Sequence, residues 1–138
     1  MPHADGDAVE AVAELHRWLE AWIGRGDRDA LEKTCAALGD GFLQVGPDGV
    51  ARDRAAVVAM LDRLGAARAG GPPFAIYIRN GRVVARGPER VLVVYEEHQQ
   101  GGGVPSSVRI STALLIEGNV PGGWVWQHLH ETWISPPG

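Results

Sequence analysis

The sequence holds one cysteine, Cys35, in 138 residues. A single thiol cannot close an internal disulfide, so the chain is not built as a disulfide-stapled secreted scaffold. Cys35 sits in the helical stretch LEKTCAAL, where a small buried apolar role fits better than that of a nucleophile. Long apolar runs are also missing. Nothing approaches the ~20 residues that span a bilayer, and the opening MPHADGDAVE lacks the basic-then-apolar pattern of a signal peptide. A soluble, cytoplasmic protein that does not engage a membrane is expected. Basic clusters are absent too: thirteen cations, twelve of them scattered arginines, stand against seventeen acidic residues for a net charge of −4. That balance provides no electrostatic footprint for nucleic acid. No G-x-G-x-x-G, P-loop or G-x-S-x-G segment occurs, so dinucleotide, nucleotide and serine-hydrolase chemistry have no motif. The glycines at 101–103 read as a loop between strands rather than a phosphate cradle.

What is present is 45% hydrophobic residues in a chain of a length suited to one substantial core. Residues 8–23 carry Val12, Leu15, Leu19, Trp22 and Ile23 at helical spacing, with Glu10, Glu14, Arg17 and Glu20 elsewhere on the surface. The break at 24–27 ends this helix, and Asp27 or Asp29 can cap a second one through about Leu38, ended by Gly39 and Gly41. FLQV (42–45) reads as a short strand and 46–49 as a turn, and Asp53 is placed to cap a third helix from about 54 to 67. AGGPP at 69–73 interrupts the chain. From Phe74 onward the sequence reads as strands: 74–86, either a hairpin about Asn80-Gly81 or one bulged strand, then 89–99, 106–118 and 123–135. Helices first and a bent antiparallel sheet afterwards is an α+β arrangement.

Alternation along the last strand puts Trp124, Trp126, His128, His130 and Thr132 on one face, opposite Val125, Gln127, Leu129, Glu131 and Trp133. A histidine pair can exchange protons near neutral pH, which makes His128 and His130 candidate acid/base residues; both can equally be hydrogen-bonded parts of a structural wall. A metal would need at least a third ligand, and no spaced set with Glu97 or His98 completes one, so neither a metal nor another cofactor is expected. In VVYEEHQ, Val93, Tyr95, Glu97 and Gln99 share a face. Of the adjacent glutamates Glu97 is favoured as the inward one, with Tyr95 beside it. Arg109 is the lone cation of its strand and, if buried, needs an anionic partner, either Glu97 or a ligand carboxylate.

The order of elements, the GD between the first helices, L-G-D-G-F-L, V-V-Y-E-E-H-Q, R-I-S-T and the closing W-V-W-Q-H-L-H-E-T together resemble the nuclear transport factor 2-like superfamily. Within it the chain is similar to the SnoaL-like branch and to the calcium/calmodulin-dependent kinase II association domain. The resemblance spans about 9–134 and implies a single SnoaL-like domain over 1–138: a cone-shaped curved antiparallel sheet wrapped around the N-terminal helices, in a homodimer joined through the outer sheet face. It also implies a pocket in the cone. The inward arginines of the kinase association domain support a ligand carboxylate at Arg109, with Trp126, Tyr95, Trp22 and Ser111 completing the candidate ligand set. One departure stands out. In the related ketosteroid isomerases an Asp precedes a Pro at the end of the first strand, whereas FLQVGP has Gly46 there, so isomerisation by that route is not expected. The expected function is binding of a small carboxylate or polar aromatic compound. The alternatives are a hydratase-, cyclase- or isomerase-like enzyme using His128 or His130 with Tyr95 and Glu97, and a homo-oligomeric assembly module.

Overall fold

In a computed structural model, residues 5–68 and 71–138 are described; Ala69 and Gly70, at the start of the expected break, lie outside them. Helix α1 (Asp5–Arg25) buries Ala8, Val12, Leu15, Trp22 and Ile23 on one stripe, as their spacing requires. Gly26, at φ +70°, ends it by donating its N–H to the Trp22 carbonyl at 2.9 Å. Helix α2 (Arg28–Ala37) is capped by Asp27, whose carboxylate accepts the Ala30 N–H at 3.3 Å. The chain passes directly into β1 (Leu38–Val45), so Gly39 and Gly41 lie within a strand rather than ending a helix. After the turn a short strand unmarked by the sequence, β2 (Ala51–Asp53), pairs back on β1. Asp53 then caps α3 (Arg54–Arg68), accepting the Ala56 N–H at 2.9 Å.

Four long strands follow: β3 (Phe74–Gly87), β4 (Arg90–Gly101), β5 (Ser107–Glu117) and β6 (Trp124–Ser135). With β1 and β2 they form an open, curved, six-stranded sheet in the order β2-β1-β6-β5-β4-β3, in an α+β fold whose third helix follows the first two strands. The sheet is mixed rather than wholly antiparallel, because β1 runs parallel to β6. Residues 74–87 are one strand, not a hairpin. Asn80 adopts φ +56°, and the pairing with β4 shifts between Arg79 and Arg82, so the Asn-Gly pair makes a bulge that bends the strand.

Strand alternation is regular in β4, where Val91, Val93, Tyr95 and Glu97 are buried. It is broken in β6. Leu115 pairs with Trp126 while Leu114 pairs with His128, which leaves Gln127 as an extra residue. A one-residue insertion reverses the faces of everything after it. Trp124 and Trp126 therefore point into the core, but so do Leu129, Glu131 and Trp133, and the two histidines turn away. The helices and the concave sheet face share a continuous core in which Val12, Val93, Leu115 and Trp126 are among the most buried side chains. Each removes enough apolar surface from water to contribute about 1.5–3 kcal/mol.

Candidate functional site

Between the helices and the sheet lies a cavity of about 230 Å³. Its apolar walls come from Leu15 and Leu19 on α1, Val57 and Leu61 on α3, Phe42 on β1 and Trp126 on β6. One part of the lining is polar and carries His16, Gln44, Glu97, Gln99, Arg109 and Glu131. Strand register assembles this group: Glu97 lies opposite Arg109 across β4 and β5, and Arg109 lies opposite Trp133 across β5 and β6.

Glu97 is the hub. Its Oε1 is 3.0 Å from His16 Nε2, its Oε2 accepts the Gln99 amide at 2.7 Å, and Arg109 Nε stands 3.2 Å from that same oxygen. The other His16 nitrogen, Nδ1, is 2.8 Å from the Val12 carbonyl, which can only accept, so Nδ1 carries a hydrogen. A second proton must then lie between Nε2 and Glu97. Burial alone would raise the Glu97 carboxyl, but the hydrogen bond and charge of His16, the charge of Arg109 and the Gln99 amide outweigh it and hold the group at about 2. Glu97 is accordingly a carboxylate.

Glu131 is treated differently by the same surroundings. Its side chain is 1% exposed. Burial and the negative charge of Glu97 push its carboxyl up to about 7, against the opposing pull of Arg109 and the Gln44 amide. Gln44 Nε2 donates to Glu131 Oε1 at 2.8 Å, and Arg109 Nη1 donates to Oε2 at 3.4 Å. Arg109 is thus held by carboxylates on two sides, with its guanidinium carbon 4.7 Å from the centre of the Trp133 ring. The same surroundings thus keep one carboxyl ionised and set the other near neutrality.

The residues singled out in the sequence are divided by this geometry. Glu97, Arg109 and Trp126 line the cavity. Tyr95 is buried behind that lining, edge-on to His16 at 5.3 Å and to Trp126 at 6.5 Å, with its register partner Ser111 also buried. Burial and the charges of Glu97 and Glu131 drive the Tyr95 phenol well above its ordinary range, so it stays protonated. Trp22 belongs to the helical layer, where its indole N–H donates to the Leu61 carbonyl at 2.7 Å. The largest correction concerns the histidines. His128 donates from Nδ1 to the Leu43 carbonyl at 2.8 Å, and His130 is exposed; both lie on the outer sheet face because of the bulge at Gln127. Neither is among the residues that line the cavity, whereas Glu131 is. Sequence reasoning missed His16, Gln44 and Glu131. The signal for His16 was its place in the apolar stripe of α1, four residues after Val12. For Glu131 it was the change of parity from Trp124 and Trp126 to Leu129 and Trp133.

No protein-family model matches the chain, and no curated protein matches it. Solved structures do. A nuclear transport factor 2-like protein of unknown function from Pseudomonas aeruginosa superposes with a TM-score of 0.82 at 27% identity, over 94% of this chain and 99% of that one. The chain has the nuclear transport factor 2-like fold. A domain with a cystatin-like fold from Nostoc punctiforme matches at a TM-score of 0.64 and 16% identity, over 97% and 81% of the two chains. A hexachlorocyclohexane dehydrochlorinase from Novosphingobium barchaimii matches at 0.67 and 12%, over 95% and 90%. The nuclear transport factor 2-like fold thus includes an enzyme and proteins of unknown function, and the fold alone does not select between binding and catalysis.

Proposed function

We propose that the cavity binds a small, uncharged, mostly apolar molecule and that Glu131 transfers a proton on it, in a lyase- or isomerase-like reaction. The observation that carries this reading is the Glu131 carboxyl itself: buried in the cavity wall, beside a permanent cation, and raised to about 7. In its ionised form it can take a proton from carbon, with Arg109 supplying positive charge for the anion that develops. Of the two ligand classes expected from the sequence, the polar aromatic one gains support and the small carboxylate loses it. Arg109 already faces Glu97 and Glu131, and a ligand carboxylate would bring a third negative charge to that cluster.

The test uses β-tetralone, a neutral bicyclic ketone, in deuterated water. Exchange of its acidic hydrogens, followed by nuclear magnetic resonance, should be accelerated by the protein and slowed roughly 10²–10⁴-fold by Glu131→Gln. Exchange no faster than in buffer, or unaffected by the substitution, overturns the reading. A second copy of the chain on the outer sheet face is the partner this reading adds, supported by the exposure of Leu43, Ile110 and Ile134 at 41%, 40% and 54% on neighbouring strands. Light scattering should give twice the mass of one chain; a monomer counts against it.

A further inference from the structure

Gln44 has a duty left over. Its amide nitrogen donates to Glu131 Oε1 at 2.8 Å, and whenever Glu131 is ionised its carboxylate can only accept, which keeps the nitrogen end of the amide on Glu131. Its amide oxygen is buried and has no hydrogen-bond partner among the described residues. The side chain lines the cavity, on the same side as Glu131 and at the register position of Leu129. A buried carbonyl oxygen without a donor costs free energy that a bound molecule can recover. The opposite walls, Leu15, Leu19, Val57 and Leu61, offer nothing polar to a ligand.

Resting on the reading of the cavity given above, we infer that Gln44 is a specificity residue: its Oε1 selects neutral ring compounds that carry a hydroxyl or N–H donor on an otherwise apolar frame. The size follows from the cavity. An apolar cavity of about 150 Å³ accepts benzene. One of about 230 Å³ accommodates a substituted ring or a fused pair of rings. The donor would give its hydrogen to Gln44 Oε1, next to the Glu131 carboxyl to which the same amide donates, so the amide holds the ligand beside the acid/base residue. Charged ligands are disfavoured by the ion pairs already present, and hydrocarbons leave the amide oxygen unpaired.

Three small probes separate these effects: phenol, toluene of the same heavy-atom count, and anisole, which keeps the oxygen but has no donor. Binding is measured by calorimetry on the whole protein at about pH 8, where Glu131 is mainly ionised. All three should bind, with phenol tighter than toluene and anisole by about tenfold. Gln44→Met, of similar volume but unable to accept from the donor in this way, should abolish the preference for phenol while leaving toluene within about threefold. If toluene and anisole bind but phenol has no advantage, the inference about Gln44 fails while the cavity reading stands. A preference for phenol that survives Gln44→Met also overturns the inference, since Glu131 alone would then read the donor. If none of the three binds, the apolar-cavity reading itself falls. Should Gln44→Met fail to fold, Glu131→Gln separates the two acceptors: phenol should keep its advantage in that variant, and loss of the advantage overturns the inference.

Discussion

Replacing Glu131 with glutamine should stabilise the protein in alkali and do almost nothing in mild acid. An unperturbed glutamate titrates at 4.5, and in the folded protein Glu131 titrates at about 7. Between those values the folded state binds a proton that the unfolded chain has released, so stability falls as pH rises across the window, and the loss is complete above about 7. At about 1.4 kcal/mol per pH unit the difference amounts to about 3 kcal/mol. Near-complete burial of the side chain leaves little solvent to screen it. Glutamine is almost isosteric, carries no charge to desolvate, and can still accept the Gln44 amide. Glu97, with its carboxyl at about 2, contributes in the opposite sense: its stabilisation is present above 4.5 and is lost as pH falls towards 2. Glu97 is ionised in both proteins above about pH 5 and so cancels in the comparison. Urea denaturation at about pH 5 and about pH 9 should show a stability difference near zero at the lower pH and about 2–3 kcal/mol in favour of Glu131→Gln at the higher. Parallel stability curves for the two proteins, or a variant that weakens as pH rises, would refute the charge arrangement. A substitution that stabilises the protein while removing the proposed proton transfer is the trade-off expected of a functional group buried at a cost.

Other substitutions probe the frame around the site. His16→Leu removes the proton that Glu97 shares and should cost about 3 kcal/mol at neutral pH, measured by denaturation; a neutral result would mean Gln99 and Arg109 suffice. Gly65→Ala would put a methyl group 2.1 Å from Cε2 of the Trp22 indole, so thermal melting should show a loss of about 2 kcal/mol or more, and an unchanged melting temperature would mean that α3 yields easily. Deleting Gln127 would remove the extra residue and leave Trp126 and His128 in plain alternation, so Glu131 should stay inward and both histidines outward. A cooperative melt in circular dichroism is expected, and its loss would mean that the bulged residue is itself needed for the fold.

The parity of β6 is also where function parts from a simple reading of pattern. WVWQHLHETW alternates so regularly on paper that the tryptophans and histidines share one face. In the folded protein the tryptophans line the core and the histidines lie on the outer face. The bulge arises where β6 must pair with β5 on one side and with β1, running parallel, on the other. A strand serving two partners of different direction has its register set by both, and neither lies nearby in sequence.

Much was nonetheless legible in the chain alone. The apolar spacing of residues 8–23, the capping aspartates at 27 and 53, and the alternation that turns Tyr95 and Glu97 inward are local properties, fixed by helix and strand geometry acting on neighbouring residues. The sequence could pose two alternatives for residues 74–86, but only pairing with β4 chose the single bulged strand. The site depends still more on distance. His16 is an unremarked position on an amphipathic helix until Glu97, 81 residues away, comes within 3.0 Å. Glu131 reads as a solvated residue near a strand end until one extra residue turns it inward, toward Glu97 and Arg109. Its proton affinity is a property of burial and of charges on other strands, and such energies exist only once the tertiary structure has brought the groups together.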